Sequence, residues 1–217
     1  MPKKSTIYLV LDTPGGSVMD GSLLIDTIKA MPQKVKTLTV FSASMGFQFV
    51  QNFDDRLIIP SGTLMSHRAR IGGLGGEIFG ELDTRLNMIK RRITYLDKIA
   101  AKRMGMTLEK YRALIADEYW THGFEAVEEK AADKMVLARC GKSLSGTYDK
   151  TVRTFFGPVK VTLSKCPLIT GPLDIKFGNV DEEKLDEVSE FFELRYSNPK
   201  AFVHKHIIDS SFEKILP

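Results

Sequence analysis

Hydrophobic residues in the first part of the chain fall into short runs that switch between strand-like and helix-like spacing. Ile7-Tyr8-Leu9-Val10-Leu11 is a buried-strand run that ends at Asp12-Thr13-Pro14-Gly15-Gly16. Proline stops a strand there, and the paired glycines allow a tight turn that exposes backbone N–H groups. Leu23, Leu24, Ile25 and Ile28 follow at helical spacing. Leu38 to Phe41 is a second strand, Phe47 to Gln51 a short buried helix, and Arg56 to Pro60 with Gly62 to Ser66 a further strand signal. The order is that of a repeating β-α unit, which predicts an α/β fold whose turns gather at the same ends of adjacent strands.

From Glu81 to Met104 the spacing predicts one long helix. Leu82, Leu86, Ile89, Ile93, Leu96, Ile99 and Ala100 form its apolar stripe, with Arg85, Lys90, Arg91, Arg92, Lys98 and Lys102 off it. Gly105 ends that helix, and Thr107 caps a second one through Leu108, Tyr111, Leu114 and Ile115. The pattern changes after Val136. Gly141 to Thr147 reads as a linker, and Thr151–Phe156, Val159–Leu163 and Leu173–Phe177 read as strands broken by Gly-Pro pairs. Asp181 opens an amphipathic helix that ends near Ser197-Asn198-Pro199. The expected domains are therefore residues 1–139 and a small α+β appendage at 140–217.

A chain of 217 residues with 43% hydrophobic residues can bury one good core plus such an appendage. A net charge of +4 argues for neither nucleic acid nor a membrane surface, and the basic face of the long helix carries interleaved acids and no aromatic stacking run. No apolar stretch is long enough to span a bilayer. Two cysteines, Cys140 and Cys166, do not suggest a disulfide framework and leave a reducing cytoplasm as the expected location.

The candidate chemistry lies in the turns. Ser44, in Phe41-Ser42-Ala43-Ser44-Met45-Gly46, falls between a strand and a helix. A helix start leaves N–H groups free to hold an oxyanion, although an isolated Ser-Ala-Ser would ordinarily read as a helix cap. His67 follows a strand 23 residues later, room enough for one helix and a return strand, so a base can meet the hydroxyl. His122 reads as a helix-end residue, and His204-Lys205-His206 as surface, with no cysteine or carboxylate cluster beside it to make a metal site. Neither a metal nor another cofactor is expected. Arg70-Ile71-Gly72-Gly73-Leu74-Gly75-Gly76 is glycine-rich but is followed by no Lys-Ser or Lys-Thr, which argues against a nucleotide loop.

Together, Pro14-Gly15-Gly16-Ser17-Val18, Ala43-Ser44-Met45-Gly46, Met65-Ser66-His67 and Glu125-Ala126-Val127 resemble the ClpP family of self-compartmentalising serine peptidases, over about residues 5 to 137. The resemblance implies a ClpP/crotonase-like spiral of β-β-α units, with the long helix as a protruding handle by which rings stack. It implies Ser44 as nucleophile, His67 as base, and the N–H groups of Gly16 and Met45 as oxyanion hole. Gly15, Ile71, Gly72, Gly73 and Leu74 would meet an extended polypeptide substrate. Glu118 stands where the family has its acid, usually aspartate, and its neighbour Asp117 is the other candidate. The family's elements ahead of this first strand are not found before Thr6. A divergent, phage-type homologue or a piece of a longer chain would each account for that, and an AAA+ unfoldase is correspondingly a lesser expectation than a homo-oligomeric ring. Two other readings stand beside the serine endopeptidase: an inactive ring or scaffold protein of the same fold, and a crotonase-like acyl-CoA enzyme, which would have no need of the Ser44/His67 pair.

Overall fold

A computed structural model describes residues 6–71, 80–154, 157–169 and 171–177. They fall into two compact units that divide between Val136 and Leu137.

The first unit is built on a five-stranded sheet. Strands β1 (Thr6–Thr13), β2 (Lys34–Ala43) and β3 (Asp55–Ser66) run parallel in that order. The far edge of β3 is shared: its first half pairs in parallel with β5 (Lys134–Met135), its second half antiparallel with β4 (Tyr119–His122). One long strand can serve two partners because it bulges. Thr39 of β2 faces Ile58, but Phe41 faces Thr63, so β3 carries the extra residues around Pro60 and Gly62. A Cβ on Gly62 would come within 2.7 Å of the Thr39 carbonyl oxygen, so no larger residue fits where the strands pass.

Helix α1 (Val18–Lys29) is capped by Ser17, whose hydroxyl accepts from the Asp20 N–H at 3.3 Å. It buries Ser22, Ile25 and Ile28, three residues apart, and leaves Leu23 and Leu24 exposed, which the apolar spacing alone assigned to the same stripe. Helix α2 (Met45–Gln51) is buried along its whole length, and helix α3 (Glu81–Arg103) only toward its C-terminal half, at Leu96, Asp97, Ala100 and Ala101. Thr107 caps α4 (Leu108–Leu114), and α5 spans Gly123–Glu128 after its N-cap His122. Phe47, Val50, Ile58, Leu64, Ala100 and Tyr111 make the main core. Arg56 is buried beside it, spread over the Asp133 carboxylate, the Gln51 side chain and the Lys130 carbonyl. Burial alone would push the Asp133 carboxyl up, but the hydrogen bonds and charge of Arg56, with the charge of Arg103, hold it below its ordinary value. Among the described residues no helix is long and apolar enough to cross a membrane.

The second unit is an antiparallel sheet of β6 (Thr147–Thr154), β7 (Gly157–Ser164) and β8 (Pro172–Phe177). Val159, Val161 and Leu163 alternate along one face and pack with Val152 and Ile175. The helix expected from Asp181 lies outside the described residues, as do Gly72, Gly73, Leu74, His204 and His206. One expectation is corrected here: Cys140 and Cys166 are joined in a disulfide, with Cα atoms 5.7 Å apart. The hairpin explains it. Pairing Thr147 with Ser164 brings together the chain entering β6 and the chain leaving β7. A spacing of 26 residues carried no sign of that register, and the cysteines no longer point to a reducing compartment.

Candidate active site

Three strand ends meet at one edge of the first sheet. Thr13 pairs with Ser42 and Ala43 with Met65, so the turn after β1, the junction after β2 and the residues after β3 emerge side by side. Gly15, Ser44 and His67 belong to these three segments.

Ser44 does not cap α2. Its side chain makes no capping hydrogen bond, and its backbone sits at φ 58°, ψ −116°, a conformation a non-glycine residue holds only under constraint. The constraints are visible. The Ser44 N–H donates to the Met65 carbonyl at 2.9 Å, and Gly15 packs so closely that a Cβ there would lie 2.8 Å from the Ser44 Cβ and 2.5 Å from the Ala43 oxygen. Gly46 is equally hemmed, by the Ser42 hydroxyl and the Thr13 methyl. Held this way, the Ser44 Oγ lies 2.8 Å from the Nε2 of His67. Met45 opens α2, so its N–H has no acceptor within that helix. Gly16, at φ 145°, lines the same cavity as Met45, Ser44 and His67.

A network behind the histidine holds the end of β3. The Tyr111 hydroxyl, fully buried, takes a hydrogen bond from the Gln48 side chain at 2.9 Å and shares one with the Ser66 hydroxyl at 2.8 Å. Burial, reinforced by the nearby charge of Asp97, pushes the phenol far above its ordinary range, so it stays a neutral hydrogen-bonding group.

The other side of the imidazole is different. His67 Nδ1 is buried and has no hydrogen-bond partner among the described residues, and neither Asp117 nor Glu118 bonds to it. Glu118 is exposed, at φ 71°, and its carboxylate accepts from Arg70 at 3.4 Å and from the Trp120 indole N–H at 3.1 Å. Asp117 is exposed beside it. Ile71 is 47% exposed and is the last described residue before the glycine-rich segment.

A cavity of about 240 Å³ opens beside the Ser44/His67 pair. Its α3 side is formed by Ile93, Leu96 and Asp97, with Gln48 and Arg70 also reaching it. Sequence reasoning passed over Asp97, Gln48 and Tyr111 as site residues. Only one signal was available for Asp97: it sits directly after Leu96 and three residues before Ala100, on the edge of the apolar stripe. Among the described residues no group of three or more His, Cys, Asp or Glu is gathered to hold a metal, and His122 bonds Glu125 at 3.0 Å.

Comparison with known proteins gives the family. The family model described as Clp protease matches residues 1–139. The chain is 31% identical over 138 residues to the ATP-dependent Clp protease proteolytic subunit of Streptococcus pneumoniae strain P1031, covering 60% of this chain and 68% of that relative. The proteins of the same name from strains Hungary19A-6 and TIGR4 match at the same identity and coverage. A serine held under strain against a histidine at converging strand ends thus lies within the matched region, and the chain belongs to the Clp protease family.

Proposed function

We propose that this chain is a serine endopeptidase that cleaves polypeptides through an acyl-enzyme, within a self-compartmentalising homo-oligomeric assembly. The observation that carries the reading is the 2.8 Å contact between Ser44 Oγ and His67 Nε2, with Ser44 held in the left-handed region. His67 takes the Ser44 proton as the hydroxyl attacks a peptide carbonyl, and returns it to the leaving amine; water then releases the acyl group. The Gly16 and Met45 N–H groups stabilise the oxyanion, each by about 3 to 4 kcal/mol in the transition state. Gly15 and the segment from Ile71 through Leu74 guide the extended substrate along the site.

Glu118 is the acid of the triad in this reading, and Asp117 the alternative. The Glu118 carboxylate bonds Arg70 and the Trp120 indole and not His67, so this role requires it to leave Arg70 and turn toward the imidazole. Support for an assembly comes from exposed apolar residues: Met19, Leu23 and Leu24 on α1, and Met88 on the outer half of α3, at 42 to 68% exposure. In the assembly α3 is the handle between stacked rings of a ClpP/crotonase-like spiral, and an AAA+ unfoldase is a partner to be tested after the ring itself.

A fluorophosphonate probe on the assembled protein tests the reading. Labelling that Ser44→Ala abolishes is the expected result, together with a mass many times that of one chain; an assembled ring that takes no label refutes it. The second reading, an inactive member of the fold, is favoured by one observation, the unpartnered His67 Nδ1. A crotonase-like acyl-CoA enzyme would instead bind coenzyme A and be indifferent to Ser44→Ala.

A further inference from the structure

The cavity beside Ser44 is not uniformly apolar. Val18, Ile93 and Leu96 give it greasy walls, but Gln48 and Asp97 line it as well, at 9% and 5% exposure. Both bring acceptors to the cavity lining. The Gln48 amide gives its N–H to Tyr111 and, among the described residues, leaves Oε1 buried without a partner. Asp97 accepts one hydrogen bond, from Arg112 Nε to Oδ2 at 3.1 Å, and among the described residues nothing bonds Oδ1. A mostly buried carboxylate with one protein hydrogen bond can accept another, and a ligand that brings a donor supplies it.

Charge decides what kind of donor fits. Two cations flank the cavity, Arg112 and Arg70, but their side chains are 44% and 78% exposed. Water and salt screen both, whereas the Asp97 side chain is only 7% exposed and is screened much less. The least screened charge at the cavity is therefore the acid. Burial pushes the Asp97 carboxyl above its ordinary value, with Arg112 offsetting only part of that effect, so the fold carries a cost that an arriving cation relieves. At about 240 Å³ the space is below the roughly 300 Å³ at which whole-ligand sites begin, and suits a single side chain. An aliphatic stem between apolar walls with a charged tip at the acid is the way lysine packs.

Resting on the peptidase reading, we propose that Asp97, aided by Gln48, makes this cavity a pocket for a cationic P1 side chain, so that the protein cleaves after lysine or arginine. Asp97 is then a specificity-determining residue, distinct from the groups that move protons.

The test uses the full-length assembled protein and fluorogenic peptides that differ only at P1: lysine, glutamine, leucine and norleucine, the last matching the lysine stem without its charge. Lysine is expected to exceed norleucine in kcat/KM by at least about tenfold, with Asp97→Asn bringing the ratio near one and Gln48→Met lowering it by a few-fold. Fluorophosphonate labelling of each variant shows whether its site is intact. Equal or better cleavage after norleucine or leucine overturns the proposal, and so does glutamine matching lysine, since the pocket would then read a donor and not a charge. Binding of the lysine and norleucine peptides to Ser44→Ala, followed by fluorescence anisotropy, separates the two readings. A lysine preference in binding without any cleavage or labelling by the wild type upholds the pocket and sinks the peptidase; labelling with no lysine preference does the reverse.

Discussion

Ser44 and Glu118 both hold a backbone φ in the left-handed region, at 58° and 71°, and they are held there in opposite ways. Ser44 is wedged: Gly15 passes behind it too closely for any side chain, the Met65 carbonyl takes its N–H, and the whole of α2 after it is buried. Glu118 lies on the surface, and its carboxylate rests on Arg70 and the Trp120 indole. A conformation over-determined by packing is fixed, whereas one held by exposed polar contacts can change at little cost. On the proposed reading the nucleophile is therefore pre-organised, and the acid is the part of the site that can move.

The same contrast separates two ion pairs. Arg56 is 4% exposed and meets Asp133 through several hydrogen bonds, while the exposed Arg70 meets Glu118 through a single one at 3.4 Å. Removing a partner from the first strands a buried charge; removing one from the second strands nothing.

The largest effect expected is on the mobile side. Glu118→Gln lowers the rate of peptide hydrolysis by about 10³ to 10⁴-fold, with binding of substrate little changed, as for other triads deprived of their acid. An unchanged kcat would mean that His67 works without Glu118, and a fall confined to Asp117→Asn would move the role to that residue. Next comes the fixed side. Gly15→Ala costs about 3 kcal/mol in urea unfolding and abolishes labelling of Ser44, because the new methyl meets backbone and not a flexible side chain. A normal stability with normal labelling would show that the wedge is not what holds the serine.

Tyr111→Phe removes the hydroxyl between Gln48 and Ser66, and is expected to cost about 1 to 2 kcal/mol of stability while slowing labelling a few-fold. The buried ion pair has a pH signature. Asp133 is held below its ordinary value of 3.8, so its contribution is complete above pH 3.8 and is lost as pH falls through the lower, folded-state value. Asp133→Asn should lower stability near neutrality and flatten the acid limb of the stability curve; an unaltered limb would refute the assignment. The smallest effect is the most diagnostic of mobility: Arg70→Ala frees Glu118 and raises the labelling rate by about two- to fivefold, whereas a fall would mean that Arg70 supports the site.

Much of the site was legible because turn chemistry is local. Pro14 and Gly15-Gly16 mark a strand end wherever they occur, Ser44 stands in a small-residue junction, and His67 follows a strand. The helices α3 and α4 were equally plain, since a stripe of apolar residues ended by Gly105 and restarted by Thr107 leaves little choice. Glu118 was named as candidate acid, with Asp117 beside it, by its spacing from Glu125-Ala126-Val127, but spacing says nothing of where a carboxylate points, and that of Glu118 points at Arg70. The exposed Leu23 and Leu24 show the same limit: apolar spacing names a helix without saying which residues its neighbours cover.

What the sequence determined by itself is the succession of strands, turns and helices from β1 through α4, though not β4, α5 or β5, and with it the identity of the serine and histidine that could meet. These depend on propensity, period and breakers, which act over a few residues. Tertiary structure alone decided the rest. The parallel register that sets Ala43 beside Met65 brings the two side chains together, the β6–β7 pairing closes Cys140 on Cys166, and the packing of α3 against α2 and α4 accompanies the burial of Asp97 beside the cavity. Each joins residues 22 or more apart through strand register or burial, and neither quantity is written in any local run of residues.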